Sequence, residues 1–278
     1  MSKVILVMID AQGFETATQR AALLEHLTEV GLSAKYRVQG GLPSSSRPMY
    51  ETLMTGVPVS EHGVYSNGII RRSQCENLFS MTRAHGLVNA AAAYGWISEL
   101  YTGRCPFDLQ TDRMTLSGCG DICHGIFYIE DDYPDSHLYA DAEALRLNFH
   151  PDFMLVHPMN VDLNGHRFTS ASREYHHASE VSFDQIAILF DRWRADGYDL
   201  IVTGDHGMDE LGMHGGNTPL QREVPLYIVS DRVEPGDFTD HAISNLNIAP
   251  LVCDLLGIPR GGQMLQTLDI RTREGIRP

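Results

Sequence analysis

Residues Ile201–Gly216, IVTGDHGMDELGMHGG, decide the fold class. The segment begins inside a short apolar run, Tyr198–Val202, which is rich in β-branched residues and too short for a free-standing helix, so it predicts a buried strand. Thr203-Gly204 ends the run, and Asp205 and His206 fall where the strand stops. Open α/β sheets bind their ligands outside the carboxyl ends of the strands. An adjacent Asp and His there, then a glycine-rich loop and a further His at 214, place three metal-capable side chains within ten residues. A carboxylate beside neutral imidazoles suits zinc or another divalent transition metal. Taken alone, the same pattern also describes an ordinary strand-to-loop turn with a surface Asp-His pair.

The pattern recurs on both sides. Val4–Ile9 is a fully apolar run ending in Asp10, which predicts a central parallel strand covered on both faces. It brings Asp10 to the same sheet edge as Asp205, although an Asp there is equally suited to cap the next helix, expected from Glu15 to about Val30. Phe153–Pro158 reads as another strand, followed by a loop in which Asp162 and His166 fold back onto one metal. Ala34–Gln39, Val88–Tyr94 and Val224–Val229 are further strands, and Glu76–His85, Ser172–Ala195 and Ile243–Leu256 further helices. This alternation predicts an α/β fold in a single domain over residues 1–278: a doubly wound, mostly parallel central sheet with helices on both faces.

Between the strands lies Gly40–Tyr50, a turn-rich segment feeding a short helix that ends near Thr55-Gly56. Pro48 fits a first helical turn, where its missing N–H costs nothing. A serine just ahead of it stands at a helix N-terminus, which favours a phosphate or alkoxide. Three adjacent serines are equally good capping and loop material. His62 reads as a structural turn histidine, and the acidic patch Glu130-Asp131-Asp132 as solvated. Residues of about 75–150 read as a variable region on the substrate side, with glycine-, aspartate- and tyrosine-rich connections.

Composition narrows the function classes. Of 278 residues, 43% are hydrophobic, enough for a sizeable core, and the formal charge of −15 disfavours a nucleic-acid polymer as partner. The five cysteines show no disulfide-framework spacing, and Cys119-x-x-x-Cys123-His124 lacks the second pair of a structural zinc site. Met1-Ser2-Lys3 runs directly into the first strand and no apolar run approaches 18 residues, so the expectation is a cytoplasmic protein with no membrane partner.

The order and spacing of four segments resemble the alkaline phosphatase superfamily, in its branch of type I phosphodiesterases and nucleotide pyrophosphatases. Ile5–Gly13 is similar to the opening strand with its metal-binding Asp, and Pro43–Gly63 to the nucleophile segment, with Ser46 at the position of the family's threonine. Asp162 and His166 fall on a D-x-x-G-H motif, and Thr203–Gly215 on D-H-G-M with a following H-G spaced as in ethanolamine-phosphate transferases. The closing Asn245–Pro250 and Asp254–Ile258 also match a common ending.

The resemblance implies a phosphoesterase with two divalent metal ions, zinc in preference to manganese, acting on a small phosphodiester or nucleotide pyrophosphate. In it Asp162, His166 and His214 hold one ion; Asp10, Asp205 and His206 hold the other beside Ser46, which forms a phosphoseryl intermediate. His241 is the alternative to His214. Two departures stand out. Met49 occupies the place of a phosphate-supporting Asn, for which Asn67 is a substitute, and Arg47 replaces an apolar residue, either as a phosphate contact or as a solvent-facing side chain. A phosphomonoesterase, phosphonate hydrolase or phosphotransferase is possible on the same site. A sulfatase is disfavoured because Tyr50 stands where its maturation motif needs Arg, and a mutase for want of a large inserted domain. The reading from another class is a non-catalytic relative that binds anions or partners.

Overall fold

The computed structural model describes residues 3–273; Met1 and Ser2, read as leading straight into the first strand, lie outside them. The strands are β1 (Lys3–Ile9), β2 (Ala34–Gln39), β3 (Asn89–Tyr94), β4 (Met114–Thr115), β5 (His124–Tyr128), β6 (Phe153–Val156), β7 (Tyr198–Gly204), β8 (Glu223–Val229) and β9 (Gly236–Ser244). Among the described residues they form one sheet in the order β4-β5-β3-β6-β1-β7-β8-β2-β9. The middle, β5-β3-β6-β1-β7, is parallel throughout; β8 runs antiparallel to both its neighbours, and β4 antiparallel to β5.

The apolar run at the start of the chain explains why β1 is central. Its alternate residues enter different cores: Val4, Leu6 and Met8 on one face, Ile5, Val7 and Ile9 on the other. A strand covered on both faces has no polar side to present, hence the unbroken hydrophobic sequence. The covering helices are α1 (Phe14–Arg20), α2 (Ala22–Glu29), α3 (Ser46–Thr55), α4 (Val59–His62), α5 (Leu78–Ala84), α6 (Gly95–Thr102), α7 (Leu109–Asp112), α8 (Asp135–Phe149), α9 (Asn160–Phe168), α10 (Arg173–Ala195), α11 (Pro219–Arg222) and α12 (Ile248–Leu256). No helix is long and apolar enough to cross a membrane.

The doubly wound, mostly parallel sheet is as expected; several elements are not. The single helix expected from Glu15 is two, because the chain swivels at Ala21 (φ −82°, ψ 53°), and α1 then lies on α10 and β8 while α2 reaches β9. The closing helix is shorter than expected, since Ile243 and Ser244 belong to β9 and a 3-10 turn, Asn245–Asn247, precedes α12. Residues 75–150 are no mere set of connections: β4, β5 and β3 build one side of the sheet, and α8, with Leu138, Tyr139, Ala142 and Leu145 buried, covers it. The loop expected around Asp162 is helix α9, so its Asp and His meet through helical i,i+4 spacing.

Candidate active site

Three parallel strands end at one edge and deliver the site. Asp10 follows β1, and Asp205-His206 follow β7. Ala11 takes the left-handed conformation (φ 57°), which turns its N–H onto Asp205 Oδ1 at 3.0 Å. A non-glycine residue there is strained and must be held by its surroundings. Tyr175 of α10 does so, donating to the Ala11 carbonyl at 2.6 Å and accepting from Gly13 N–H at 3.2 Å. Gly207 of the D-H-G-M segment admits no side chain, since a Cβ would lie 2.1 Å from the Leu220 carbonyl oxygen.

Ser46 is the first residue of α3, 4% exposed, with Oγ 3.1 Å from His206 Nε2. Asn67 Oδ1 accepts the Arg47 N–H at 3.0 Å, tying the following loop to the start of the same helix. Arg47 itself is not solvent-facing. Its side chain is 1% exposed, with Nη2 2.6 Å from Glu99 Oε2 and the guanidinium 4.6 Å from the Trp96 ring centroid. Burial against Trp96 and the charge of Glu99 draw the guanidinium away from the role of an exposed phosphate grip.

The histidines fix their own tautomers. His206 Nδ1 lies 3.0 Å from the Gly207 carbonyl, His166 Nδ1 2.8 Å from that of Gly212, and His214 Nδ1 3.3 Å from that of Ser44. A carbonyl oxygen only accepts, so each Nδ1 carries the proton and each Nε2 presents a lone pair. Those lone pairs converge. His166 Nε2 lies 3.1 Å from His214 Nε2 and 3.5 Å from Asp162 Oδ1, and His214 Nε2 lies 3.8 Å from the same oxygen. His206 Nε2 lies 3.4 Å from both Asp10 Oδ1 and Asp205 Oδ2. Asp162 also groups with Asp10 and His206, so it stands between the two clusters.

The donor set fits two metal ions. Asp10 Oδ1, Asp162 Oδ1 and Asp205 Oδ2 are buried with no hydrogen-bond partner, an arrangement costly for oxygens that face only other acceptors. A tetrahedral ion with bonds of about 2.0–2.2 Å has ligand–ligand edges of about 3.3–3.6 Å, and both clusters match that scale. Electrostatics agree. Burial, then the charge of Asp10, pushes the Asp162 and Asp205 carboxyls well above the usual carboxylate range. Asp10 resists the upward pull of burial through His157, His206 and Tyr50 and lies below its ordinary value. Burial, then neighbouring His206, lowers His214 to about 3, keeping it neutral as a ligand must be.

Of the sequence-derived residues, Asp10, Ser46, Asp162, His166, Asp205, His206 and His214 thus meet in one place. His241 does not: it is exposed on β9. His62 is buried, with Nε2 2.9 Å from Thr52 Oγ1 and Nδ1 accepting from Val64 N–H. Glu130, Asp131 and Asp132 are exposed. Sequence reasoning missed Tyr50, whose hydroxyl donates to Asp10 Oδ2, and His157, whose Nε2 lies 3.3 Å from the same oxygen. Signals existed: Tyr50 is one helical turn after Ser46, and His157 ends a strand at the edge that carries Asp10. Asp209 was missed too; its Oδ1 accepts from Leu211 and Met213 N–H, bracing the loop that carries His214.

A family model for type I phosphodiesterase / nucleotide pyrophosphatase matches residues 4–223. GPI ethanolamine phosphate transferase 1 of Homo sapiens is 28% identical over 138 residues, 41% of this chain and 15% of that protein. The Saccharomyces cerevisiae protein of the same name is 35% identical over 75 residues, 26% of this chain and 8% of that protein. The chain therefore matches no more than 15% of the length of these two relatives. Human ectonucleotide pyrophosphatase / phosphodiesterase 5 shares the fold with a TM-score of 0.73 at 12% identity, covering 96% of this chain and 97% of that one. Its murine counterpart in complex with AMP gives 0.71 at 12% identity, covering 94% and 96%. A 2-O GAG sulfatase gives 0.65 at 14% identity, covering 94% and 72%. With a family model over most of its length and the matching fold, the chain belongs to the type I phosphodiesterase / nucleotide pyrophosphatase family of the alkaline phosphatase superfamily.

Proposed function

We propose that the chain is a phosphoesterase that requires two divalent metal ions and cleaves a phosphodiester or nucleotide pyrophosphate through a covalent ester on Ser46. The observation that carries this reading is the convergence of three imidazole lone pairs and three unpartnered carboxylate oxygens beside Ser46 Oγ. Asp162, His166 and His214 would hold one ion, and Asp10, Asp205 and His206 the other. Mixed nitrogen and oxygen donors favour zinc. When bound, such ions supply positive charge that stabilises alkoxide and phosphoryl oxygens in this pocket.

The chain's own residues do the rest. Ser46 Oγ, at the N-terminus of α3, forms a bond to phosphorus while the bond from phosphorus to the leaving oxygen breaks. The serine proton ends on the departing group. Water then displaces Oγ, releasing the phosphate product and restoring the hydroxyl. The helix N-terminus favours the negative charge of the transferred group. Asn67, its Oδ1 engaged by Arg47 N–H, keeps its amide NH₂ as the donor to a phosphate oxygen. The family description supports the diester class, and the AMP-bound murine neighbour supports a nucleotide. One observation favours group transfer instead: the curated relatives are ethanolamine phosphate transferases, in whose reaction an alcohol would take the place of water.

The test compares bis-p-nitrophenyl phosphate with p-nitrophenyl phosphate, with added zinc or manganese, for wild type and Ser46→Ala. Metal-dependent diester turnover that falls on the order of 10³-fold or more in the variant supports the proposal. Monoester preference keeps the site and changes the function. No turnover of either ester, in protein that retains no metal, leaves a binding relative instead.

A further inference from the structure

We infer that Tyr50 and His157 are positioning residues that hold Oδ2 of Asp10 and leave Oδ1 as its only metal-binding oxygen. The inference rests on the two-metal reading above.

Tyr50 and His157 are both 0% exposed. The Tyr50 hydroxyl donates to Asp10 Oδ2. His157 Nδ1 faces the backbone N–H of Tyr94 at 3.5 Å, so Nδ1 accepts and the ring proton sits on Nε2. That N–H lies 3.3 Å from the same Oδ2. Neither ring is free to turn. They meet edge to face with centroids 4.6 Å apart, and the His157 carbonyl accepts from Tyr128 Oη at 2.7 Å. Asp10 Oδ1 meets no donor and points to within 3.4 Å of His206 Nε2.

A carboxylate whose one oxygen is occupied by two donors cannot chelate through both. Its ion is then bound through a single, oriented oxygen, and hydrogen-bond partners of that kind are typically worth about 10–100-fold in metal affinity. Tyr50 also belongs to the helix of Ser46, so the same contact ties the nucleophile's helix to the strand end that carries Asp10.

The experiment strips the full chain with a chelator and titrates zinc against a competing metal indicator. Wild type, Tyr50→Phe, His157→Leu and His157→Gln are compared, with the metal-free melting temperature recorded for each. Tyr50→Phe keeps the ring and its volume, so it reports even if His157→Leu folds poorly. The expected result is two ions in wild type. Tyr50→Phe and His157→Leu should each weaken one ion about 10–100-fold and leave the other unchanged, and His157→Gln, which keeps an N–H donor, should bind more like wild type. Wild-type affinity for both ions in Tyr50→Phe and His157→Leu overturns the inference and leaves the two-metal reading standing. Equal weakening of both ions overturns it too, because a general loosening of the fold would do that. A wild type that binds no ion overturns the two-metal reading itself.

Discussion

Arg47 and Glu99 form an ion pair whose side chains are only 1% and 5% exposed, with Arg47 Nε and Nη1 left without partners. Removing one member strands a buried charge, so Glu99→Ala should cost about 3–5 kcal/mol in chemical unfolding. The double change Arg47→Met with Glu99→Gln, which removes both charges, should cost less. A second residue-scale expectation concerns Asp135. Burial pushes its carboxyl up to about 7, and Oδ2 has no partner while Oδ1 accepts from Asn160 N–H at 3.3 Å. The raised value means that the folded chain favours the protonated acid. The stabilising contribution is therefore complete below the ordinary value of 3.8 and is lost as pH rises through about 7. Asp135→Asn, which keeps an accepting oxygen, should stabilise the chain by about 1–3 kcal/mol near pH 8 and much less near pH 4, as read from unfolding midpoints. At this scale the sequence was legible where chemistry sits beside a strand end, as at Asp10, Asp205 and His206. It was not legible where a partner is remote: Glu99 lies 52 positions from Arg47, and nothing local announces the pair.

Helix α9 shows the same limit one level up. Its residues, NVDLNGHRF, include Asn, Asp and Gly, weak helix formers whose pattern reads as loop. The helix forms because it packs on α10 and on the segment after β7. Gly165 is where that packing is tightest. A Cβ there would lie 2.7 Å from Met208 Cε and 2.9 Å from its Cγ, with Tyr175 Cδ2 at 3.2 Å. Gly165→Ala should overpack the contact, destabilise the chain by about 1–3 kcal/mol and shift Asp162 and His166 together. In a zinc titration, the ion held with His214 should weaken more than the ion beside Ser46. By contrast, β1 and β7 were readable in outline because a strand buried on both faces must be apolar throughout. The break at Ala21 was not, since no glycine or proline marks it.

For the molecule as a whole, parallel strands put the ends of β1, β6 and β7 at one edge, and three carboxylates meet there inside a chain of net charge −15. Divalent ions that bind only the folded form stabilise it by mass action, by about 2.7 kcal/mol at a concentration 100 times Kd. Chelation should accordingly lower the melting temperature, and zinc should restore it. The sheet order itself was only half visible: the parallel centre follows from alternating strands and helices, whereas the pairing of β2 between β8 and β9 depends on contacts distant in sequence. The central claim, attack by Ser46, is tested most directly by rapid acid quench during turnover of bis-p-nitrophenyl phosphate, followed by mass analysis of the peptide containing Ser46. The account predicts a phosphoryl ester on that serine, formed only with metal present and absent from Ser46→Ala. Metal-dependent turnover at an undiminished rate in Ser46→Ala, with no ester on Ser46 in wild type, would contradict it.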